Sequence, residues 1–271
     1  MKTWLMIDVP CLAHRALHTT GDLENGVAFG VLAELRRLLD RFRPAGCAFA
    51  FDSAYSERVE ASPEYKRARR EDYKEMTLGE KEAKLGMSEQ LRHLRAVWLP
   101  ELGHANVFIA RGYEADDVLA SLVQRSLSPA DAAVVVSSDK DLHQLLEGER
   151  VVMWKPHKKA LYSEADLRRD FGVHPSRWAE CLALAGDPDD GVAGMEGVGY
   201  KTAAGFFAGT LRQKKLDKIG PAVPPYLLRN LPLVRLPYAG CPTFPLSPDN
   251  ASVKKWRAVC KRLGFNSLLE A

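Results

Sequence analysis

The sequence has no apolar run near the roughly 20 residues that cross a bilayer, and Asp8 interrupts its first hydrophobic stretch too early for a signal peptide. Cysteine is also scarce: the five cysteines are widely spaced and form no C-x-x-C pair. Reduced, buried thiols fit this spacing better than disulfides or a zinc site. These absences predict a cytoplasmic protein that does not contact a membrane.

Composition excludes disorder and fibrous folds, because 46% of residues are apolar and 27% are charged, as in ordinary globular proteins. The formal net charge of +3 is unevenly distributed. Residues 211–271 contain eleven Lys or Arg against three acids, a net of +8, so residues 1–210 sum to −5. A basic C-terminal third favours a polyanionic partner such as nucleic acid; the alternative is a merely solvated basic face.

Short apolar runs alternate with helical patterns in the first part of the chain. Helical spacing occurs over Val27–Phe42 and Ala115–Ser126. This alternation predicts an α/β domain over residues 1–165, with a mainly parallel central sheet and flanking helices. The runs that read as buried strands are Thr3–Ile7, Cys47–Phe51, Asn106–Ala110, Ala132–Val136 and Val151–Trp154.

Beyond this region the patterns are helical, at Ser163–Phe171, Arg177–Leu184 and Tyr200–Phe207. Residues 166–271 are therefore predicted to form a helical second domain. Its residues 221–248 are rich in proline and are expected to be irregular, before a last basic helix at Ala251–Leu263.

Acidic residues collect just past the ends of the predicted strands and of one helix. In a parallel sheet these strand ends share one edge, where open α/β folds bind ligands. Carboxylates so close together repel one another, and hard divalent cations such as Mg²⁺ or Mn²⁺ relieve that repulsion, with two or more ions needed for so many acids. Individual acids could instead be helix caps or turn residues. The predicted ligands are Asp8, Asp52, Glu114, Asp116, Asp117, Asp139, Asp141, Asp187 and Asp190.

A mixed-charge segment at about residues 55–99 follows Asp52 and contains four cations in five residues at Lys66–Arg70. One interpretation is an exposed, salt-bridged helix. The other is a helical lid over the strand edge, in which Lys66 and Arg69 stabilise charge on a reacting phosphate and Tyr65 stacks on a base.

A glycine-rich turn at residues 194–203 links two predicted helices as a helix–turn–helix. Such a turn exposes backbone N–H groups at a helix N-terminus, which favours contact with a nucleic-acid phosphate.

These motifs resemble the 5′-nuclease family, which includes phage 5′-exonucleases, the N-terminal nuclease domain of bacterial DNA polymerase I and the flap endonucleases. The resemblance spans residues 3–240 and is carried by GYEADDVLASL, SSDKDLHQLL, AGDPDD, GMEGVGYKTA and PEYKRAR. It departs from the family pattern where Val9 and Pro10 follow Asp8 and where Gly191 replaces an asparagine.

The resemblance implies a PIN-like nuclease core and places the nine acids at the family's metal positions. It also implies arch cations at Lys66 and Arg69, and DNA contacts by Arg15 and by the turn, where relatives bind K⁺; the turn residues concerned are Gly197, Gly199, Lys201 and Thr202. The expected protein is a monomeric, metal-dependent 5′-3′ exonuclease or flap endonuclease acting on DNA with a 5′ end, flap or branch. A catalytically silent junction-binding module and a structure-selective RNase remain open alternatives.

Overall fold

A computed structural model describes residues 1–20 and 24–269 of the chain. Its sheet has the order β3-β2-β1-β4-β5-β6, in which β1 to β5 are parallel and β6 is antiparallel to β5. The parallel sheet is thus confirmed, and the three-residue edge strand β6 was not predicted because it is too short to show alternation. The strands are β1 (Thr3–Asp8), β2 (Gly46–Phe51), β3 (Asn106–Ile109), β4 (Ala132–Val136), β5 (Val151–Lys155) and β6 (Ala160–Tyr162).

Helices cover both faces of the sheet and build the region after it. In chain order they are α1 (Val9–Thr20), α2 (Gly26–Phe42), α3 (Glu57–Ala61), α4 (Arg67–Glu75), α5 (Leu78–His93), α6 (Leu99–Leu102), α7 (Ala115–Ser121), α8 (Glu164–Phe171), α9 (Trp178–Ala185), α10 (Tyr200–Phe207), α11 (Gln213–Ile219), α12 (Val223–Val234) and α13 (Val253–Arg262). Wider π-helical turns continue α5 at Leu94–Trp98 and α7 at Leu122–Ser126.

Alternate residues of the central strands enter two separate hydrophobic clusters. Met6 of β1 points into the cluster that contains α7, α9, α10 and α12. Its neighbours Leu5 and Ile7 point the other way, into the cluster with α1, α2, α5 and α13. Both faces of the sheet are therefore covered, as the nearly continuous apolar strands require.

The arch predicted at about residues 55–99 is helical, and its helix α4 lies outside both hydrophobic clusters. Helix α4 buries none of its residues, and α5 buries only Met87. Thr77 begins α5 with a capping box in which its side chain and that of Glu80 satisfy each other's backbone N–H groups. Helix α4 is thus not held by buried side chains of its own, whereas α5 packs against α1 and α2 near its end.

Helices α1 and α12 are among those that the sequence patterns did not predict. Helix α1 starts directly after β1, with Pro10 in its first turn, where a missing N–H costs no hydrogen bond. Helix α12 occupies part of the proline-rich segment that was predicted to be irregular, and this prediction was wrong for the same reason: Pro224 and Pro225 fall in its first turn. The chain from Cys241 to Asn250 is irregular, as predicted.

The predicted domain boundary after residue 165 falls within α8, and the division into two domains stays a prediction. Residues of the sheet and of α9, α10 and α12 belong to one hydrophobic cluster. Within residues 1–20 and 24–269, no helix combines the length and the apolar character that a membrane crossing requires.

Candidate metal centre

The carboxyl ends of β1, β2 and β4 open into a cavity of about 370 Å³. A larger groove of about 840 Å³ lies along α12, but its lining is apolar apart from Arg235, so it offers no carboxylate chemistry. Five of the nine predicted acids line the smaller cavity: Asp8, Asp52, Glu114, Asp116 and Asp139.

Asp8 and Asp52 form the floor of the cavity at the ends of adjacent strands. Asp8 is only 6% exposed, and it accepts hydrogen bonds from the Cys11 N–H at 2.9 Å and the Ser137 hydroxyl at 2.7 Å. Burial raises the pKa of Asp8 to about 7, and the nearby charge of Asp52 adds to this. Burial also raises the pKa of Asp52, which accepts from the Ala115 N–H at 2.8 Å. Both carboxyl groups are therefore costly to ionise without a cation.

Two further acids, Glu114 and Asp116, lie at the cavity where α7 begins, and their pKa values are shifted in opposite directions. Burial, followed by the charges of Asp139 and Asp8, raises the pKa of Asp116 well above its ordinary value. Burial also disfavours ionised Glu114, but the charges of Lys66 and Arg58 outweigh it and lower the pKa of that carboxyl. Glu114 is thus already compensated by protein cations, whereas Asp116 is not.

A second cluster is formed by Asp141, Asp187 and Asp190, whose carboxylate oxygens lie within 4.8 Å of one another. One oxygen of Asp141 is buried and has no hydrogen-bond partner among the described residues. Burial and the charges of Asp139 and Asp187 raise the pKa of Asp141. Asp139 connects the two clusters, because it lines the cavity and accepts a hydrogen bond from the Asp141 N–H at 2.8 Å.

Asp117 lies in a different environment from the other predicted ligands. It is fully buried, and its two oxygens accept from the Arg58 guanidinium at 2.5 and 2.7 Å. The Tyr238 N–H also donates to it, at 2.7 Å. Because both oxygens are engaged by the protein, Asp117 is suited to holding α3, α7 and the C-terminal chain together.

The root of the arch contacts both acid clusters. Lys66 donates to Glu114 at 2.6 Å and lies 4.0 Å from Asp190, and an Arg69 nitrogen lies 2.6 Å from Asp190. Gly191 has a positive φ of 69°, and a Cβ there would lie 2.3 Å from the carbonyl oxygen of Glu64. The glycine that departs from the family pattern therefore permits close contact between this loop and the arch.

Tyr65 does not present the base-stacking face that its position suggested. Its side chain is 4% exposed, and its hydroxyl donates to Glu114 at 3.0 Å. The Lys66 ammonium lies 5.1 Å from the centre of its ring. The aromatic ring is therefore occupied in supporting the arch root, because the hydroxyl and the ring both bind groups of the site.

The residues predicted to contact DNA elsewhere lie outside the cavity. Helices α9 and α10 contact one another, and the glycine-rich turn precedes α10. Gly197 has a φ of 73°, and a Cβ at Gly197 or Gly199 would meet no atom within 4 Å. Lys201 is exposed and Thr202 is half-buried. Arg15 donates to the Pro156 carbonyl at 3.0 Å. The assignment of these residues to DNA remains a prediction.

Sequence reasoning missed several residues of the site, and three of them carry ionisable side chains. His14 lines the cavity, Arg58 pairs with Asp117, and the Lys140 ammonium lies 2.9 Å from Asp187. The sequence indicated Lys140 as a site residue, because it lies between the predicted ligands Asp139 and Asp141. Nothing in the sequence distinguishes Arg58, because it is one of eight cations among nine acids in residues 56–90.

Comparison with known proteins identifies the family of the chain. Residues 3–172 match the family described as 5′-3′ exonuclease, N-terminal resolvase-like domain. A 5′-3′ exonuclease of Streptomyces coelicolor is 33% identical over 269 residues, covering 89% of this chain and 87% of the relative.

Solved structures show the same fold. The bacteriophage T5 5′-exonuclease with bound divalent metal ions (zinc) is 22% identical, with a TM-score of 0.75 over 99% of both chains. The flap endonuclease of the same phage, in a complex with DNA and metal ions, is also 22% identical, with a TM-score of 0.73 over 100% of both chains. On the evidence of the family match over more than half of its length, the chain belongs to the 5′-3′ exonuclease family.

Proposed function

We propose that the protein is a divalent-metal-dependent 5′ nuclease that hydrolyses DNA phosphodiesters near 5′ ends or at flap junctions. One observation carries the proposal: eight carboxylates from distant parts of the chain meet in two adjoining clusters beside the cations of the arch. The DNA complex of the T5 flap endonuclease supports DNA as the substrate.

The residues fit hard divalent cations. Their donor atoms are carboxylate oxygens, which suit Mg²⁺ or Mn²⁺. Among the described residues, one buried oxygen of Asp141 has no hydrogen-bond partner, and burial raises the pKa values of Asp8 and Asp116. A cation beside these carboxyl groups would stabilise their ionised forms. Asp8, Asp52, Glu114, Asp116 and Asp139 would hold one cation region, and Asp141, Asp187 and Asp190 the second. Asp117 is left out of this set because Arg58 engages both of its oxygens.

Bound cations would activate a water molecule and neutralise the departing oxygen of the cleaved bond. The chain's own cations complete the site. Lys66 and Arg69 come from the arch root, and both reach acids of the cavity edge. We propose that they turn to the phosphate on which negative charge develops, as fixed positive groups do in phosphoryl transfer.

The duplex beside the cut would rest on the start of α10. Gly197 and Gly199 leave this helix N-terminus open, so its backbone N–H groups and Lys201 can meet a DNA phosphate, and a K⁺ ion could share the turn. Thr202 and Arg15 are further proposed contacts.

The test is incubation of the protein with a 5′-labelled DNA flap and Mg²⁺. We expect cleavage near the junction, none in EDTA, none with Asp116→Asn, and a loss of about a hundredfold or more with Lys66→Ala. Asp189→Asn is the matched control, since Asp189 is an exposed acid outside the proposed ligand set. Equal cleavage in EDTA would refute the metal-dependent reaction.

The same assay separates the alternatives. Cleavage of an RNA flap but not of its DNA counterpart would replace the proposal by an RNase. Tight binding of the DNA flap without cleavage in any divalent cation would replace it by a silent binding module.

A further inference from the structure

Lys140 places a protein cation inside the second acid cluster. Its ammonium lies 2.9 Å from Asp187, one of the three acids of that cluster. Unlike Lys66 and Arg69, this lysine is not on the arch; it lies in the loop between β4 and the short 3₁₀ turn Asp141–Leu145. The cluster therefore has a positive charge of its own, supplied by the segment that also supplies Asp141.

Two contacts fix Lys140 in this position. Its carbonyl oxygen accepts a hydrogen bond from the Trp178 indole N–H at 2.8 Å, which anchors the backbone to α9. Its ammonium also lies 5.0 Å from the centre of the Tyr200 ring, at the start of α10. When the ammonium leaves Asp187, the face of this ring remains as a partner for it. The Lys140 ammonium thus contacts the acid cluster and Tyr200 from one position.

We propose that Lys140 is a built-in counter-ion that competes with a divalent cation for Asp187 and so sets the metal concentration that the second cluster requires. The inference rests on the proposed function, because it takes the cluster to be a cation site. It follows from charge: an ammonium at contact distance offsets the repulsion among the acids, and a divalent cation at Asp187 must displace it or lie beside it. Because Tyr200 opens the helix proposed to carry the duplex, DNA binding and metal binding would meet at this lysine.

The experiment measures Mn²⁺ binding without DNA, from the electron paramagnetic resonance signal of the free ion. Lys140→Met should bind Mn²⁺ about tenfold more tightly than the natural protein, an effect within the usual range of coupling between two sites. Lys140→Arg retains the charge and should bind as the natural protein does. Lys254→Gln, on exposed α13 surface, controls for the loss of one positive charge.

A double variant assigns the effect to this cluster. Adding Asp187→Asn to Lys140→Met should abolish the gain in affinity, because the two residues act on the same ion. Unchanged or weaker Mn²⁺ binding by Lys140→Met, with an unaltered circular dichroism spectrum and melting curve, would overturn the inference and leave the proposed function standing. The absence of any bound Mn²⁺ in both the natural protein and Lys140→Met would overturn the proposed function as well.

Discussion

Replacement of Asp8 by asparagine tests directly whether the acid cluster opposes folding without metal. Asp8 is buried, and its pKa is raised to about 7, against about 3.9 for an exposed aspartate. Between these values the folded carboxyl keeps its proton while the unfolded one has lost it, so unfolding releases a proton. The free energy of unfolding therefore falls as pH rises through this range. Asparagine has the same shape and does not ionise.

The size of the effect follows from the two pKa values. From about pH 4.5 to about pH 7.5 the Asp8 contribution falls by roughly 3 kcal/mol. Another group acts in the opposite direction: burial lowers the pKa of His143 to about 3, so its neutral ring contributes stability that grows as pH rises toward the ordinary imidazole value. The natural protein alone can therefore show little pH dependence, and the difference from Asp8→Asn is the quantity to measure.

The assay is urea unfolding in EDTA at several pH values for the natural protein, Asp8→Asn and the exposed-acid control Asp189→Asn. The advantage of Asp8→Asn over the natural protein should grow by about 3 kcal/mol across the range, and that of Asp189→Asn should stay flat. Saturating MgCl₂ should remove most of the growth, because the cation replaces the proton at Asp8. Parallel curves for the natural protein and Asp8→Asn in EDTA would refute the burial argument.

Two further predictions concern largely buried carboxylates that hold the fold together. Arg58→Met should destabilise the fold by about 3–5 kcal/mol in urea unfolding, because it leaves the buried Asp117 carboxylate unpaired; a loss below about 1 kcal/mol would contradict this. Although burial raises the pKa of Asp249, hydrogen bonds from His104 and Ala105 lower it on balance. Ionised Asp249 therefore contributes its full stabilisation above about pH 4, and this contribution is lost as pH falls through the folded pKa. In Asp249→Asn, the free energy of unfolding should fall less steeply with decreasing pH in this acid range.

The sheet was predictable because its strands are buried on both faces. Leu5, Met6 and Ile7 are all fully buried, so no polar residue interrupts the run and β1 stands out in the sequence. Helix α12 was not predictable by the same means, since Pro224 and Pro225 suggest irregular chain unless the start of the helix is already known. The arch shows helical charge patterns, but its position depends on two roots that are distant in sequence.

The site was predictable as far as topology determines it. Asp8, Asp52 and Asp139 meet because parallel strand ends share an edge. The sequence could not predict that Asp116 lines the cavity while Asp117 lies outside it. Consecutive helical residues point about 100° apart, so only one of the two can face the cavity. Which one leaves depends on Arg58, whose position is set by tertiary packing.

The partners of the acids indicate what each acid does. Arg58 is buried and donates hydrogen bonds to both oxygens of Asp117. Separation of this pair would leave two buried charges without a partner, which is strongly destabilising. Lys66 holds Glu114 from a side chain that is 24% exposed, and Arg69 holds Asp190 from one that is 57% exposed. The exposed Arg69 can leave its carboxylate for a phosphate at little cost, whereas departure of Lys66 leaves the half-buried Glu114 to be compensated by another cation. Loss of Arg58 should therefore reduce stability, whereas loss of Lys66 or Arg69 should reduce turnover in a protein that still folds.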